Sequence, residues 1–300
     1  MNWIVNIKHL FAALSRSALT IIELTSFLSI VKARTIRERF HSHVGCKGCC
    51  VPLKLFRMRE RKHYNKAPII QALIDVQVKS SHLVDLATLV SPPREITTDY
   101  PIVQPVFTGS ATFAMNPGTV PAFDARQVGY SRTGPGEHKY AVQARLDGLT
   151  VSRFAPYETW ENLRDEFFRI WNWYREVVEP AEIVRLAVRY SNRLDLPLPV
   201  DDFKHYLRTT PEIGGSLPGS LSGFVMQLQI PSPHRSRMII LNEAMVPAAE
   251  AGIASILLDI NVYQTQHIDH HFKQQLEQLH DEENDFFEGS ITDKTRELIK

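Results

Sequence analysis

Three arginines spaced four residues apart carry the most suggestive chemistry in this 300-residue sequence. Arg185, Arg189 and Arg193 lie in the run AEIVRLAVRYSNRLDLPLP. Along it Val184, Leu186, Val188, Tyr190, Asn192 and Leu194 point one way. Arg185, Ala187, Arg189, Ser191, Arg193 and Asp195 point the other, which is the period of two expected of a strand. Successive arginines then stand ~13 Å apart on one face. A guanidinium is a planar fork of N–H donors that fits carboxylate and phosphate oxygens. Such a row suits a phosphorylated small molecule or a nucleic-acid backbone. Arg145 joins it from a neighbouring hairpin, and Tyr157 lines the site. The candidate ligand-binding set is Arg145, Arg153, Tyr157, Arg189, Asn192 and Arg193. The competing expectation is internal pairing, since Asp195 and Asp259 lie in comparable strands.

Other constellations are weaker. His41-x-His43-x-x-Cys46-x-x-Cys49-Cys50 contains zinc ligands at half-site spacing, but no distant second pair completes it. His267 and His271 fall one helical turn apart at a helix start, yet Asp269 projects from a different face and no third ligand follows. Phosphate-binding Gly-rich loops, dinucleotide turns and nucleophile elbows are missing from the sequence. The expectation is therefore no metal and no cofactor, with the question of an enzymatic activity left open.

Charge divides the chain. Residues 1–66 hold 13 Lys+Arg against Glu23, Glu38 and Glu60, a net of +10; the remaining 234 residues hold 21 basic against 30 acidic, a net of −9. An acidic body is a poor polyanion binder, which favours ion pairs for the strand arginines and makes nucleic acid an unlikely partner. Apolar stretches before residue 57 are interrupted by Lys8, Arg16 and Glu23, so none reaches the length of a membrane span. The basic cluster Lys32, Arg34, Arg37 and Arg39 follows the apolar part, the reverse of a secretory signal. We read residues 1–57 as a basic leader outside the domain, with Met58 as the start of the body. All three cysteines lie in the leader, which fits a reducing cytoplasm for residues 58–300.

The elements that must position the arginines are legible. Ile69 to Val78 reads as a strand. A short helix is expected around His82 to Leu89, then irregular strands and loops over residues 92–138, with a β-like run at Ile102 to Phe107. Asp147-Gly148 marks a hairpin of type I′ between Tyr140–Leu146 and Leu149–Phe154. Trp160, Leu163, Phe167, Trp171, Tyr174 and Val178 form the apolar stripe of a long helix that Pro180 ends. Asp201-Asp202 caps a short helix, and the Gly/Ser/Pro stretch from Gly214 to Gly223 is the internal boundary. Strands follow at Phe224–Ile230, Met238–Val246 and Ser255–Tyr263. A second long helix then carries Ile268, Phe272, Leu276, Leu279 and Phe286, broken at Gly289. The fold class is α+β: largely antiparallel sheet with two long helices packed on it, organised as two similar halves at 64–213 and 223–300.

Ser152-Arg153-Phe154-x-Pro156-Tyr157-x-x-Trp160-Glu161 and Arg189-Tyr190-x-Asn192-Arg193-Leu194-Asp195 carry a resemblance. So do Lys66-Ala67-Pro68-Ile69, Leu258-Asp259-Ile260-x-x-Tyr263 and Phe286-Phe287-x-x-Ser290-Ile291-Thr292-Asp293-Lys294. With these pieces, residues 64–300 resemble a sporadically distributed family of uncharacterised bacterial proteins. The resemblance implies no activity and assigns no catalytic residue. Its patchy occurrence implies an association with mobile or defence genes. The function expected is a cytoplasmic, non-enzymatic binding or accessory module with a protein partner or self-association. The alternative is an enzyme or ligand-binding domain that takes a phosphorylated molecule or nucleic acid on the strand arginines.

Overall fold

A computed structural model describes residues 62–112, 122–135, 139–214, 221–234 and 236–300. The leader, Met58, the His41–Cys50 set, residues 113–121 and 136–138 of the stretch read as irregular, and most of the Gly214–Gly223 boundary lie outside the described residues. Nine strands form one sheet: β1 (Ile69–Ser80), β2 (Ile102–Thr112), β3 (Ala122–Thr133), β4 (Tyr140–Arg145), β5 (Gly148–Phe154), β6 (Pro180–Pro197), β7 (Val225–Pro231), β8 (Arg237–Val246) and β9 (Ile253–Gln264). Their order across the sheet is β2-β3-β4-β5-β1-β6-β9-β8-β7. Every neighbouring pair is antiparallel. The helices are α1 (Leu86–Val90), α2 (Arg94–Asp99), α3 (Trp160–Val178), α4 (Lys273–Ser290) and α5 (Asp293–Leu298). The fold is α+β, and two of its helices are long, as the periodicity predicts.

The apolar stripe of α3 is buried along its whole length, from Trp160 through Val178. Thr159 caps its start by accepting from the Asn162 N–H at 3.2 Å, and Glu179 closes its end in the left-handed region at φ 45° before Pro180. A cap of this kind satisfies backbone donors that the first turn leaves over. α3 lies on β1 and β5, and α4 on β6 and β9. The two helices meet through rings: Trp171 and Phe272 are 5.3 Å apart edge to face, and Trp160 and His280 are 4.1 Å apart. Beneath them the alternate residues Ala72, Ile74, Val76, Leu186, Val188, Tyr190, Leu258 and Ile260 complete one hydrophobic core. Each large side chain so buried stabilises the fold by about 1.5–3 kcal/mol.

Four local expectations are corrected. Residues 92–138 are more regular than read, since Arg94–Asp99 is helical and β2 and β3 pair over eleven registered positions. Arg132 on β3 ties this region down by donating to the Tyr100 carbonyl at 3.2 Å and to the Val90 carbonyl. The β4–β5 turn is Leu146-Asp147, and Gly252 is the only described glycine with positive φ, so the hairpin is not type I′. Gly148 is needed for closeness instead, because a Cβ there would stand 2.5 Å from the Val76 carbonyl oxygen. The early helix is shorter than read, starting at Leu86 with Asp85 as its cap. Finally, α4 begins at Lys273 and continues through Gly289 to Ser290. His267 and His271 therefore sit in the preceding loop, with His267 at φ 54°, not one helical turn apart.

Candidate binding face on the open side of the sheet

Strand alternation places the arginines of β6 on the face opposite α3 and α4, open in the sense that neither long helix packs on it, although Ala187, Ser191 and Asp259 on it are buried. On that face β1 contributes Asp75, which lies in register with Thr150 of β5 and Ala187 of β6. β9 contributes Asp259, in register with Ser191 of β6 and Asn242 of β8. These two carboxylates organise the arginines.

Asp75 Oδ1 accepts from Arg145 Nη2 at 3.0 Å and from Thr150 Oγ1 at 2.7 Å, and its Oδ2 accepts from Arg185 Nη1 at 2.7 Å. Burial alone would raise the Asp75 carboxyl, but Arg145, Arg185 and the Thr150 hydroxyl outweigh it and hold the pKa below its ordinary value. Arg185 also lies 4.6 Å over the Tyr263 ring. Asp259 Oδ1 accepts from Arg189 Nε and Ser191 Oγ, both at 2.6 Å, and its Oδ2 accepts from Asn242 Nδ2 at 2.7 Å. The Asp259 side chain is 1% exposed and that of Arg189 15%. Arg193 donates to Asp195 at 2.9 Å and to Ser255 Oγ at 3.0 Å. Internal pairing is thus the arrangement found for Arg145, Arg189 and Arg193, with Asp259 and Asp195 as the acids anticipated and Asp75 as one the sequence did not single out.

Pairing leaves donors over. Arg189 gives only Nε to Asp259, and its two Nη groups have no partner among the described residues. Beside this pair the buried amide atoms Gln71 Nε2 and Asn261 Oδ1 also lack partners. Gln71 is in register with Ser191, and Asn261 with Arg189. The face is therefore a fixed polar array with unused hydrogen-bonding capacity centred on Arg189.

The other candidate residues lie elsewhere. Arg153 faces the helix side, bonded to Glu158 at 2.8 Å and lying 4.9 Å over the Tyr140 ring. Tyr157 shares a 2.8 Å hydroxyl contact with Tyr190, which packs against His280. Burial, with Tyr190 lowering and Glu283 raising, pushes the Tyr157 hydroxyl up. Asn192 is buried and donates to the Leu258 carbonyl at 3.3 Å. The six residues thus divide between the two faces of the sheet: Arg145, Arg189 and Arg193 on the open one, Arg153, Tyr157 and Asn192 on the covered one. Asp75, Thr150 and Asn242 were missed because cross-strand register is not visible from one segment; Asp75, the one acid in β1, was the one available hint.

Two further acids sit under the helices. Glu243 on β8 is 0% exposed, and neither carboxylate oxygen has a hydrogen-bond partner. Burial pushes its pKa up to about 7. Glu283 on α4 is raised well above its ordinary value by burial and then by the Asp259 charge. Among the described residues no group of three His, Cys, Asp or Glu is placed to hold a metal ion, and no helix is long and apolar enough to cross a membrane. No protein-family model, curated protein or solved structure matches this chain.

Proposed function

We propose that residues 58–300 form a binding module that engages its partner with the open face of the sheet. The observation that supports this reading is a pair of networks on one face, Asn242, Ser191 and Arg189 around Asp259, and Arg145, Thr150 and Arg185 around Asp75. It is cross-linked between strands before any partner arrives, so little ordering entropy opposes binding. A face built of charged and polar pairs spanning several strands suits a protein partner in the cytoplasm. The clustering of every cysteine before residue 51 supports that location. The resemblance to a sporadic bacterial family adds an association with mobile or defence genes to this reading.

A second reading, recognition of a phosphorylated molecule, is favoured by the Nη groups of Arg189, which have no partner among the described residues. The two readings separate on one experiment. The protein is purified from its native host, and retained proteins and small molecules are identified by mass spectrometry. The same is done for Arg189→Lys, which keeps a cation for Asp259 but removes the fork. A protein retained by both forms supports the first reading; a phosphorylated compound retained by the native form and lost from the variant supports the second. Recovery of neither, from protein shown to be folded, overturns both.

We also propose that the sheet descends from two like halves. The topology divides them between α3 and β6 rather than at the Gly214–Gly223 stretch: in the first, β1 pairs with β5, the last strand before α3; in the second, β6 pairs with β9, the last strand before α4. Each half thus closes its first strand on its last and then adds a long helix, and β1 and β6 join the halves at the centre.

A further inference from the structure

The sheet ends in two edges, and they differ. β2 carries Pro105 mid-strand and an irregularity between Val106 and Phe107, devices that blunt an edge against further pairing. β7 has neither. Its sequence, VMQLQIP, holds no charged residue, and its proline is the last position. Val225 is 77% exposed, although it is a large apolar side chain.

The hydrogen-bonding phase of β7 follows from one bond. Met245 N donates to the Phe224 carbonyl at 3.0 Å, across the pair that continues the β7–β8 register. In an antiparallel ladder bonded residues alternate. Phe224, Met226, Leu228 and Ile230 therefore turn their amides toward β8, and Val225, Gln227 and Gln229 turn theirs outward. On the helix side Met226, Leu228 and Ile230 are half-buried, and Leu228 and Ile230 pack against the core. The apolar layer thus runs out to this edge and ends there half covered.

We propose that β7 is a self-association edge, whose partner is β7 of a second copy paired antiparallel about a two-fold axis through Gln227. This uses the backbone edge of the sheet rather than the arginines of its face, although the Gln227 side chain donates to Asn242. In that register Gln227 meets Gln227 of the other copy, and Val225 meets Gln229, so all three outward residues find amide partners. A register centred on Leu228 would instead set Val225 against Pro231, which has no N–H. A two-fold axis perpendicular to the sheet keeps the helix sides together, so Met226 faces Leu228 and the apolar layers join. No like charges oppose one another along the strand. A single self-complementary patch closes a dimer, whereas pairing β7 with β2 would propagate without closing.

The test is sedimentation velocity on the full 300-residue chain over a concentration series, with Gln227→Lys and Gln227→Glu as variants. Gln227 is exposed and makes one side-chain bond, to Asn242 at 2.7 Å, so both variants keep the fold; matching circular dichroism spectra and a cooperative urea transition verify it. The native chain sediments as a dimer. Each variant alone dissociates ~tenfold more readily or worse, because identical charges face each other across the axis. An equimolar mixture re-forms the dimer, since Lys then faces Glu. A monomeric native chain, an open-ended assembly, a variant that remains dimeric or a mixture that remains monomeric would each overturn the proposal.

Discussion

Replacing Glu243 is the sharpest test of how this core is built. Its carboxyl lies between β7 and β9, opposite Met226 and Leu258, with both oxygens unpartnered. Burial raises its pKa from an ordinary 4.5 to about 7. Below pH 4.5 the group is neutral in both folded and unfolded chains and contributes no pH dependence. Between pH 4.5 and about 7 the unfolded chain has released the proton while the folded chain retains it, so stability falls as pH rises. Above about 7 both states are ionised and the whole cost remains, about 3 kcal/mol at roughly 1.4 kcal/mol per tenfold change in proton affinity. Glu283 acts in the same direction, so the informative quantity is a difference between proteins. Urea unfolding of the native chain and Glu243→Gln is measured from pH 4.5 to 8.5. The native chain loses about 3 kcal/mol more across this range than the variant, and Glu243→Leu is the more stable protein at pH 8.5. If the native and Glu243→Gln curves run parallel throughout, the carboxyl is not a buried neutral acid and the reasoning fails.

Three further outcomes follow from the geometry. Asp259→Ala strands Arg189, Ser191 and Asn242 and costs about 3–5 kcal/mol by urea denaturation; a loss under ~1 kcal/mol would show that the network does not hold the strands. Phe167→Ala opens a void between Trp171 and Phe272 and costs about 3–5 kcal/mol, and an unchanged thermal midpoint would contradict the packing of α3 on α4. Gly148→Ala drives a methyl group to 2.5 Å from the Val76 carbonyl and 2.8 Å from Arg145 Nη2. It destabilises by about 1–3 kcal/mol, and a neutral result would mean the hairpin does not approach β1 that closely.

Local pattern and tertiary context each determined a separable part of this protein. The stripe from Trp160 to Val178, the stop at Pro180 and the alternation along β6 are properties of neighbouring residues, so they were legible in the sequence and recur in the structure. α+β class and two long helices follow from them. Where stabilisation comes from distant partners, the sequence was silent. β2 and β3 lack clean alternation because both lie near the sheet margin, where one face is not forced apolar, and their placement depends on Arg132 reaching Tyr100 and Val90. Asp147-Gly148 carried the composition of a left-handed turn, yet glycine is required there by the approach of β1, a residue some seventy positions away. The arginines show the same division. Their spacing put them on one face, and only the pairing of β1, β6 and β9 decided which acids meet them. It also moved Arg153, Tyr157 and Asn192 to the other side of the sheet, because side-chain direction in a strand is fixed by register with neighbours that the strand's own sequence does not name.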